Sequence, residues 1–363
     1  MSKKRILLIG PFPEPTTGVS LANQVVYDEF SKNDAFEVSK VNTSFSSFDE
    51  KLGAVSFKKL WFYLKLQVYF LKVFQNDIIY ITPGQTFFGV VKYALYILAA
   101  TLSRKQILQH IHGNFLGKQY HLLSGIKKKV FYYLMSKTDK GIVLSESLKP
   151  NFEPFIASKD IYVLKNFVID ELFFDDEVIK KKDYNSLKIV YLSNLMAEKG
   201  IFDLLESLTM LEKKNIPYSA KIAGNIAPEN QQKANSYFNK LQHTEYIGVV
   251  GKEQKAELFK WSNVFVLPTY YTMEGQPISI LEAMATGNVV LTTPHAGIPD
   301  IFKNEINGFY VVIQNPESIT KQVEHIIDHK DDLVTIAIYN VKEAREAYRV
   351  RKFVYNLQEI IKA

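Results

Sequence analysis

Residues 264–308 read VFVLPTYYTMEGQPISILEAMATGNVVLTTPHAGIPDIFKNEING and decide the fold of the second half of the chain. The apolar run that ends at Leu267 has the length of a buried strand, and a glycine-containing loop follows it. Pro277 suits the first position of a helix, where no backbone N–H is needed. The helix is predicted over Ile278–Ala285, and Gly287 suits its C-terminal end. The stretch therefore predicts one strand–loop–helix unit of an α/β sheet.

Two glutamates surround the predicted helix start. The free N–H groups of a helix start bind anions. Glu274 precedes this start, and Glu282 lies roughly 7–8 Å further along the helix axis at about 1.5 Å per residue. Carboxylates accept hydrogen bonds from sugar hydroxyls, so Glu274 is expected on a sugar ring and Glu282 on a ribose. The structural alternative is a capping box, Ser279-x-x-Glu282, with Glu274 as an ordinary loop acid.

The rest of the chain repeats the alternation of short apolar runs and longer helical patterns. This alternation predicts parallel sheets covered by helices on both faces. The predicted strands are Arg5–Gly10, Glu37–Val41, Ile78–Ile81, Ile107–Ile111, Gly141–Leu144, Ile161–Leu164, Lys188–Leu192, Ala220–Ala223, Glu245–Ile247, Val264–Leu267, Val289–Thr292 and Phe309–Val312. The apolar run Phe87–Leu102 contains Lys92 and is shorter than the ~20 residues of a spanning helix, so it is predicted to be a buried crossover helix.

Length and pattern together predict two domains. The chain has 363 residues, which suits two α/β domains rather than one. Residues 1–165 form the predicted first domain, 166–187 the linker and 188–345 the second domain, and the final helix, 346–363, is expected to return to the first domain. The absence of cysteine excludes a disulfide framework, a thiolate zinc site and a thiol nucleophile.

Charge is distributed unevenly along the chain. Residues 1–165 hold 22 Lys and Arg against 12 Asp and Glu, whereas residues 166–363 hold 22 against 26. A basic first half favours an anionic partner such as a membrane surface or a lipid-linked phosphate. Nucleic acid is not expected as a partner, because the basic residues form no recognition motif.

Four further motifs follow predicted strands. Lys199, at a strand-to-helix turn, can neutralise a diphosphate as a point charge, although a lone loop lysine is commonly just solvated. Gly18 belongs to a glycine-containing loop after the first strand, and this loop is not the dinucleotide fingerprint. His112 ends the fourth strand, at the edge where α/β sites form. Gly224 permits close backbone approach, and with Val250 it marks the segments expected to meet the nucleotide base.

The sequence resembles the retaining glycosyltransferases of family 4, which have the GT-B fold. The resemblance rests on Glu274-GQPISIL-Glu282, on the flanking register and on GIPDIFKNEINGF, although Asp300 stands where glutamate is commoner. It implies two Rossmann-like domains facing across a cleft, and a histidine such as His112 near donor sugar and acceptor. Asn194 stands where the family has an arginine, so Lys199 is expected to carry the pyrophosphate charge largely alone.

The resemblance defines the expected site. The residues expected in catalysis are Glu274, His112 and Lys199. The residues expected to bind the donor are Gly18, Asn194, Lys199, Gly224, Val250, Glu274, Gly275, Gln276, Pro277, Ile278 and Glu282. No metal and no cofactor are expected, and the donor is a UDP- or GDP-linked sugar used as substrate.

Residues 57–74, FKKLWFYLKLQVYFLKVF, predict a helix at a lipid interface. A face that mixes lysines with aromatic side chains suits that interface, and a solvated helix face is the alternative. The residues predicted on that face are Lys58, Phe62, Lys65, Tyr69 and Lys72. The residues expected on the opposite, core-facing side are Leu60, Trp61, Leu64, Val68 and Leu71. The same chemistry recurs in Lys127, Lys128, Lys129, Phe131, Tyr132 and Tyr133.

The expected activity is transfer of a sugar, with retention, from a nucleotide-sugar to a saccharide acceptor, lipid-linked, in polysaccharide biosynthesis. The enzyme is expected in the cytoplasm, peripherally bound to the inner membrane face. Two alternatives stay open at this point: a GT-B epimerase or phosphorylase, and a non-catalytic subunit that binds a sugar nucleotide.

Overall fold

The computed structural model describes residues 3–45 and 57–363, with side chains described at 3–45 and 61–363. The chain divides into two compact units. The first unit contains residues up to Asn166, together with Met273–Gln276 and Phe353–Ala363, and the second contains Phe167–Thr272 and Pro277–Lys352.

The first unit is built on a six-stranded parallel sheet of order β2-β1-β3-β4-β5-β6. Its strands are β1 (Lys4–Gly10), β2 (Phe36–Asn42), β3 (Ile78–Ile81), β4 (Gln106–Ile111), β5 (Lys140–Val143) and β6 (Ile161–Val163). Its helices are α1 (Gly18–Ser31), α2 (Phe57–Gln67), α3 (Phe87–Val91), α4 (Ala94–Leu102), α5 (Leu116–Leu122) and α6 (Gly125–Met135), with a 3₁₀ helix at Val68–Gln75.

The second unit is built on a six-stranded parallel sheet of order β9-β8-β7-β10-β11-β12. Its strands are β7 (Lys188–Leu192), β8 (Ser219–Ala223), β9 (Thr244–Gly248), β10 (Val264–Leu267), β11 (Val289–Thr292) and β12 (Gly308–Tyr310). Its helices are α7 (Asp176–Lys180), α8 (Ile201–Lys213), α9 (Gln231–Phe238), α10 (Lys252–Trp261), α11 (Ile278–Ala285), α12 (Pro316–Asp328) and α13 (Lys330–Ala347). The last helix, α14 (Val350–Lys362), begins in the second unit and continues into the first.

The twelve predicted strands are confirmed, each within two residues of its predicted ends. They form because their apolar runs are buried on both faces, as β10 and β11 show with every residue buried. Phe87–Leu102 is helical as expected, but it forms two helices, which are separated at Lys92 and Tyr93. Among the described residues, no helix combines the length and the apolar character that crossing a bilayer requires.

A buried lysine stabilises the second unit where two of its helices end. The Lys182 amine donates to the carbonyl oxygens of Phe259 in α10 and Thr286 after α11, at 2.8 Å in each case. Its burial lowers the pKa of Lys182 to about 7, because loss of hydration penalises the cation. Lys182 therefore satisfies carbonyl groups that a helix C-terminus leaves without intrahelical partners.

Candidate functional site: strand ends of the two sheets

Strand order fixes where ligands meet the second sheet. From β7 the chain proceeds toward β8 on one side, while β10 lies on the other side of β7. Loops after these two strands diverge, and the space outside their carboxyl ends is the ligand position typical of open α/β sheets. The loops are residues 193–200 after β7 and 268–272 after β10. The loop after β7 carries Lys199, and the loop after β10 leads into the segment that contains Glu274.

Lys199 lies on a closely packed turn. A 3₁₀ turn, Ala197–Lys199, ends at Gly200, whose φ of 76° lies in the left-handed region. A Cβ at Gly200 would lie 2.3 Å from the carbonyl oxygen of Pro268, so only glycine permits this approach. The Lys199 amine lies 5.0 Å from the ring centroid of Tyr271, within cation–π range. The turn thus holds the lysine at the carboxyl edge of the sheet.

Hydrogen bonds join this turn to the neighbouring loops. The backbone N–H of Tyr270 donates to the carbonyl oxygen of Glu198 at 2.8 Å. The hydroxyl of Thr293, just after β11, donates to the carbonyl oxygen of Thr269. The Nε2 atom of His295 lies 2.8 Å from the carbonyl oxygen of Tyr271. Three consecutive strand ends are therefore linked into one rigid edge, and the contacts of Tyr271 and His295 are ones that sequence reasoning missed.

The helix that carries Glu282 has its predicted bounds, Ile278–Ala285, although Pro277 is its cap residue and not its first residue. α11 starts at Ile278, and Pro277 lies before it with an extended ψ of 118°. A proline with extended ψ precedes the helix as its cap residue rather than occupying its first turn. The helix is eight residues long, and the N–H groups of its first turn have no partner within the helix. They are therefore available to bind an anion.

Glu282 is a buried carboxylate with a cationic partner. It is 3% exposed, and its Oε1 lies 2.5 Å from the amine of Lys255 in α10. The side chains of Lys255 and Glu282 are 19% and 4% exposed, so the pair is largely withdrawn from water. The carboxylate of Glu282 therefore pairs with a lysine and does not form the capping box that was the structural alternative. Sequence reasoning missed Lys255, because a lysine 27 positions earlier in an ordinary helix gives no signal.

The remaining predicted donor residues of the second unit follow neighbouring strands. Gly224, after β8, has a φ of 140°, and a Cβ there would lie 1.8 Å from the carbonyl oxygen of Ser193. Its N–H donates to the carbonyl oxygen of Gly248 at 2.8 Å. Asn194 is exposed after β7, and Val250 is half-buried after β9. The fold therefore brings these positions to one edge of the second sheet.

In the first unit, two histidines stack at the end of β4. The ring centroids of His110 and His112 are 4.0 Å apart, and the Tyr80 hydroxyl lies 2.6 Å from His110 Nδ1. Burial lowers the pKa of His112 to about 3 and holds that of His110 well below its usual range. In the described part of the chain, neither Nε2 atom has a hydrogen-bond partner, although both are buried. His112 is therefore a neutral imidazole able to hydrogen-bond a hydroxyl.

Glu274 belongs to the same unit as His112. The segment Met273–Gln276 groups with the first unit, and Glu274 is 6% exposed there. A Cβ at Gly275 would lie 2.6 Å from the carbonyl oxygen of His112, so glycine lets this segment lie against the end of β4. The Gln276 amide accepts from the N–H of Asn166 at 2.7 Å and donates to the carbonyl oxygen of Leu144 at 3.2 Å. Gln276 thus holds the loop that carries Glu274.

Gly18 occupies the first position of α1. The preceding Thr17 caps this helix, and its side chain and that of Ser20 bond each other's backbone N–H groups. Gly18 is exposed at the start of a 14-residue helix, after the loop that leaves β1. The sheet order reverses between β1 and β3, so this loop lies at the switch point of the first sheet.

The predicted lipid-facing residues have mixed surroundings. The Lys58 side chain lies outside the described residues. Phe62 is half-buried and packs on the core, whereas Lys65 and Tyr69 are exposed and Lys72 is partly exposed. In α6, the lysines Lys127 and Lys129 are exposed and Lys128 is partly exposed.

Two expectations about these segments are wrong. Five residues were expected in the core: Leu60, Trp61, Leu64, Val68 and Leu71. The Leu60 side chain lies outside the described residues, and the other four side chains are 56%, 53%, 67% and 56% exposed. In α2 the core-facing side is instead the one that carries Phe62 and Leu66. From Val68 the chain is a 3₁₀ helix with about 3 residues per turn, and there Val73 is the buried residue. Phe131, expected beside the exposed Tyr132 and Tyr133, is fully buried.

Two parallel six-stranded α/β units of this topology define the GT-B fold. The family model described as glycosyl transferases group 1 matches residues 173–344. The chain accordingly has the GT-B fold, and the match to glycosyl transferases group 1 lies in its second unit.

Two proteins with similar sequences are named as glycosyltransferases of bacterial surface or lipid-linked saccharides. The chain is 27% identical over 237 residues to the capsular polysaccharide biosynthesis glycosyltransferase CapM of Staphylococcus aureus. This match covers 61% of each of the two chains. It is 25% identical over 203 residues to the N,N'-diacetylbacillosaminyl-diphospho-undecaprenol alpha-1,3-N-acetylgalactosaminyltransferase of Campylobacter jejuni. That match covers 54% of this chain and 51% of the relative.

A solved structure has the same fold over nearly the whole chain. Anabaena Alr3699/HepE, crystallised in complex with UDP-glucose, superposes with a TM-score of 0.75 and 15% sequence identity. The superposition covers 99% of both chains. At this identity the likeness concerns the fold alone.

Proposed function

We propose that the protein transfers a sugar, with retention of anomeric configuration, from a UDP-linked donor to a lipid-linked saccharide during polysaccharide assembly. The observation that carries this proposal is Glu282, a buried carboxylate one turn into α11, at the switch-point edge of the unit that matches glycosyl transferases group 1. A carboxylate withdrawn from water at a helix start suits a ligand that offers both phosphate and hydroxyl groups.

The second unit takes the nucleotide in this proposal. The Lys199 amine and the first N–H groups of α11, after Pro277, meet the diphosphate, since both stabilise negative charge. Glu282 accepts from the ribose hydroxyls, and the backbone near Gly224 and Val250 meets the base. HepE was crystallised with UDP-glucose, which supports UDP as the nucleotide to test first.

The first unit, built mainly from residues 1–165, takes the sugar and the acceptor. Glu274 orients the transferred sugar, and His112 hydrogen-bonds a hydroxyl as a neutral imidazole. The Campylobacter relative is named for transfer to a sugar on diphospho-undecaprenol, and the Staphylococcus relative for capsular polysaccharide. The Campylobacter name supports an acceptor that is carried on a lipid diphosphate, and the Staphylococcus name supports a role in polysaccharide assembly. A lipid-linked acceptor would place the enzyme at the inner face of the membrane.

The proposed transfer takes place on one face of the sugar. The bond between the anomeric carbon and the β-phosphate oxygen breaks, and a bond from the acceptor hydroxyl oxygen to the same carbon forms on the same face. The hydroxyl proton passes to the departing phosphate oxygen. Lys199 and the α11 start stabilise the charge that develops on UDP, and Glu274 stabilises the positive charge on the sugar ring.

Donor binding provides the first test. We expect UDP to raise the melting temperature of the protein and GDP to raise it less. Glu282→Gln and Lys199→Ala are expected to abolish that stabilisation. The matched control is Lys213→Ala, which removes an exposed lysine from the other end of α8 and should leave the UDP effect unchanged.

Product analysis provides the second test. Donor sugars screened with lipid-diphosphate-linked saccharides should give a product with the donor's anomeric configuration, read from proton couplings. Donor turnover without acceptor would instead indicate an epimerase or phosphorylase. UDP binding without turnover on any acceptor would indicate a non-catalytic subunit, and an inverted product would overturn the same-face step.

A further inference from the structure

The charge of residues 51–138 is nearly all of one sign. This stretch contains 13 Lys and Arg, and its one acidic residue is Asp77. In the described structure it provides α2, the 3₁₀ helix Val68–Gln75 and α3–α6, which lie together as the helical layer of the first unit. Within that layer the 3₁₀ helix packs on α4, and α4 and α3 pack on α6. A helical layer without acidic side chains has the charge that complements an anionic surface.

The outer side of this layer is also unusually apolar. Large apolar side chains that are at least 44% exposed occur in α2, the 3₁₀ helix and helices α3–α6. They are Trp61, Leu64, Val68, Tyr69, Leu71, Phe74, Phe88, Leu95, Leu102, Leu122, Ile126, Tyr132 and Tyr133. We call the exposed apolar side chains of residues 61–74 the outer stripe. Exposed apolar surface on this scale marks an interaction surface rather than ordinary solvent exposure.

The outer stripe is held in place from its inner side. Leu66 and Val73 are buried in the core of the first unit. The Tyr96 hydroxyl donates to the carbonyl oxygen of Leu66, and the Gln67 amide donates to that of Lys92 at 3.1 Å. The segment therefore cannot turn its apolar side chains inward without breaking buried contacts.

The charges of the stripe lie beside its aromatic rings. The amine of Lys65 lies 5.5 Å from the ring centroid of Trp61, and that of Lys72 lies 5.4 Å from that of Tyr69. Lysines that flank exposed aromatic rings match the boundary between lipid headgroups and acyl chains, where the amine meets phosphate and the ring meets hydrocarbon. A second copy of the chain would offer the same positive charge, and the two copies would repel each other.

We propose that the outer stripe inserts into the acyl-chain boundary of an anionic bilayer, with the lysines of α2–α6 on the phosphates around it. This deepens the proposed function, because it assigns the membrane contact to Trp61, Leu64, Val68, Leu71 and Phe74. Those side chains enter the lipid, whereas a purely electrostatic contact would leave them in water. The first unit thereby places its acceptor site at the surface where a lipid-linked saccharide resides.

The chain carries its own reporter of insertion. It has two tryptophans, Trp61 in the stripe and Trp261 in the second unit, so Trp261→Phe leaves Trp61 as the only indole. Vesicles of phosphatidylglycerol and phosphatidylcholine should shift Trp61 emission to shorter wavelength. Phosphatidylcholine brominated along its acyl chains should quench that emission. Binding to vesicles without quenching would overturn insertion, and so would absence of binding at low salt.

Charge placed in the stripe should prevent insertion. Leu64→Glu with Val68→Glu is expected to lower partitioning into the same vesicles by roughly tenfold or more, since two apolar side chains that would enter the lipid are lost and two negative charges are added. The matched control is Ile338→Glu, which replaces a 47% exposed apolar residue of α13 in the second unit and should not alter partitioning. Equal effects of both changes would refute the assignment.

Failure of this inference is distinguishable from failure of the proposed function. The Leu64→Glu, Val68→Glu variant should keep the melting-temperature rise with UDP, because neither residue belongs to the donor site. If the protein enters vesicles but UDP does not raise its melting temperature, only the donor proposal is refuted. A stripe that drives concentration-dependent dimers on size exclusion, with no vesicle quenching, would show a second copy to be its partner.

Discussion

The ion pair between Lys255 and Glu282 makes a quantitative prediction about the second unit. The atoms Nζ and Oε1 are 2.5 Å apart, and the two side chains are 19% and 4% exposed. Removing one member of a fully buried pair costs about 3–5 kcal/mol, because the other charge is left desolvated without compensation. Since Lys255 keeps some contact with water, we expect Lys255→Met to cost about 2–4 kcal/mol of unfolding free energy.

A double-mutant cycle isolates the pair from its surroundings. Lys255→Met combined with Glu282→Leu removes both charges, so the double variant should recover most of the loss, with a coupling free energy of about 2 kcal/mol or more. For a unit of this size, the single variant corresponds to a fall of roughly 4–16 °C in melting temperature. Urea unfolding can be followed by Trp261, which lies in α10 with Lys255, in a Trp61→Phe background.

The chain supplies a control of equal geometry and different burial. Lys214 and Glu324 lie 2.6 Å apart, but their side chains are 54% and 33% exposed. Lys214→Met should therefore cost less than about 1 kcal/mol. If Lys214→Met costs as much as Lys255→Met, or if the Lys255–Glu282 cycle is additive within about 0.5 kcal/mol, burial of the pair is not what stabilises this unit.

Three further predictions concern pH and backbone. Burial lowers the pKa of Lys182 to about 7, so the unfolded chain binds the extra proton above that pH; stability should rise from pH 7 to 10, and Lys182→Met should flatten that rise in urea titrations. Burial lowers the pKa of His112 to about 3, so stability should fall as pH drops from 6.5 toward 3, and His112→Phe should lessen that fall in acid-unfolding curves. Gly224→Ala should cost about 2 kcal/mol or more, because its Cβ would strike backbone at a φ of 140°, whereas Gly251→Ala meets nothing within 4 Å and should change thermal stability little.

The sheets were predictable because their signal is local. A run such as Val264–Leu267 is apolar at every position, and only a strand buried on both faces suits four such residues between turn signals. The signal for the helix Ile278–Ala285 was equally local, since Pro277 and Gly287 bracket it in the sequence. The order of the strands was not predictable in this way, because it depends on how the helices cover the sheet and not on any single stretch of the sequence.

The orientation of residues 61–74 was not predictable in the same way. Both sides of this segment are apolar, with Phe62, Leu66 and Val73 on one side and Leu64 and Val68 on the other. A helical wheel then gives two candidate core faces, and the change to 3₁₀ geometry at Val68 breaks the wheel itself. Only the packing partners on α4 decide which side is buried.

The sequence predicted the position of Lys199 after a strand and that of Glu282 one turn into a helix. The supporting contacts of the candidate site were not predictable, because they join distant parts of the chain. Lys255 reaches Glu282 across 27 positions, and His295 reaches Tyr271 across 24. Side chains that support a site in this way follow from tertiary packing alone.

The last helix has a consequence for how the protein is made. Lys140 opens β5 in the first unit, and its buried amine donates to the carbonyl oxygen of Ile360 at 2.7 Å, 220 positions later. The ribosome synthesises the sheet of the first unit long before it synthesises α14. The Lys140 amine therefore lacks this hydrogen-bond acceptor until the whole second unit has been synthesised. During that interval the nascent chain also exposes its outer stripe, so the bilayer contact proposed above is available before synthesis ends.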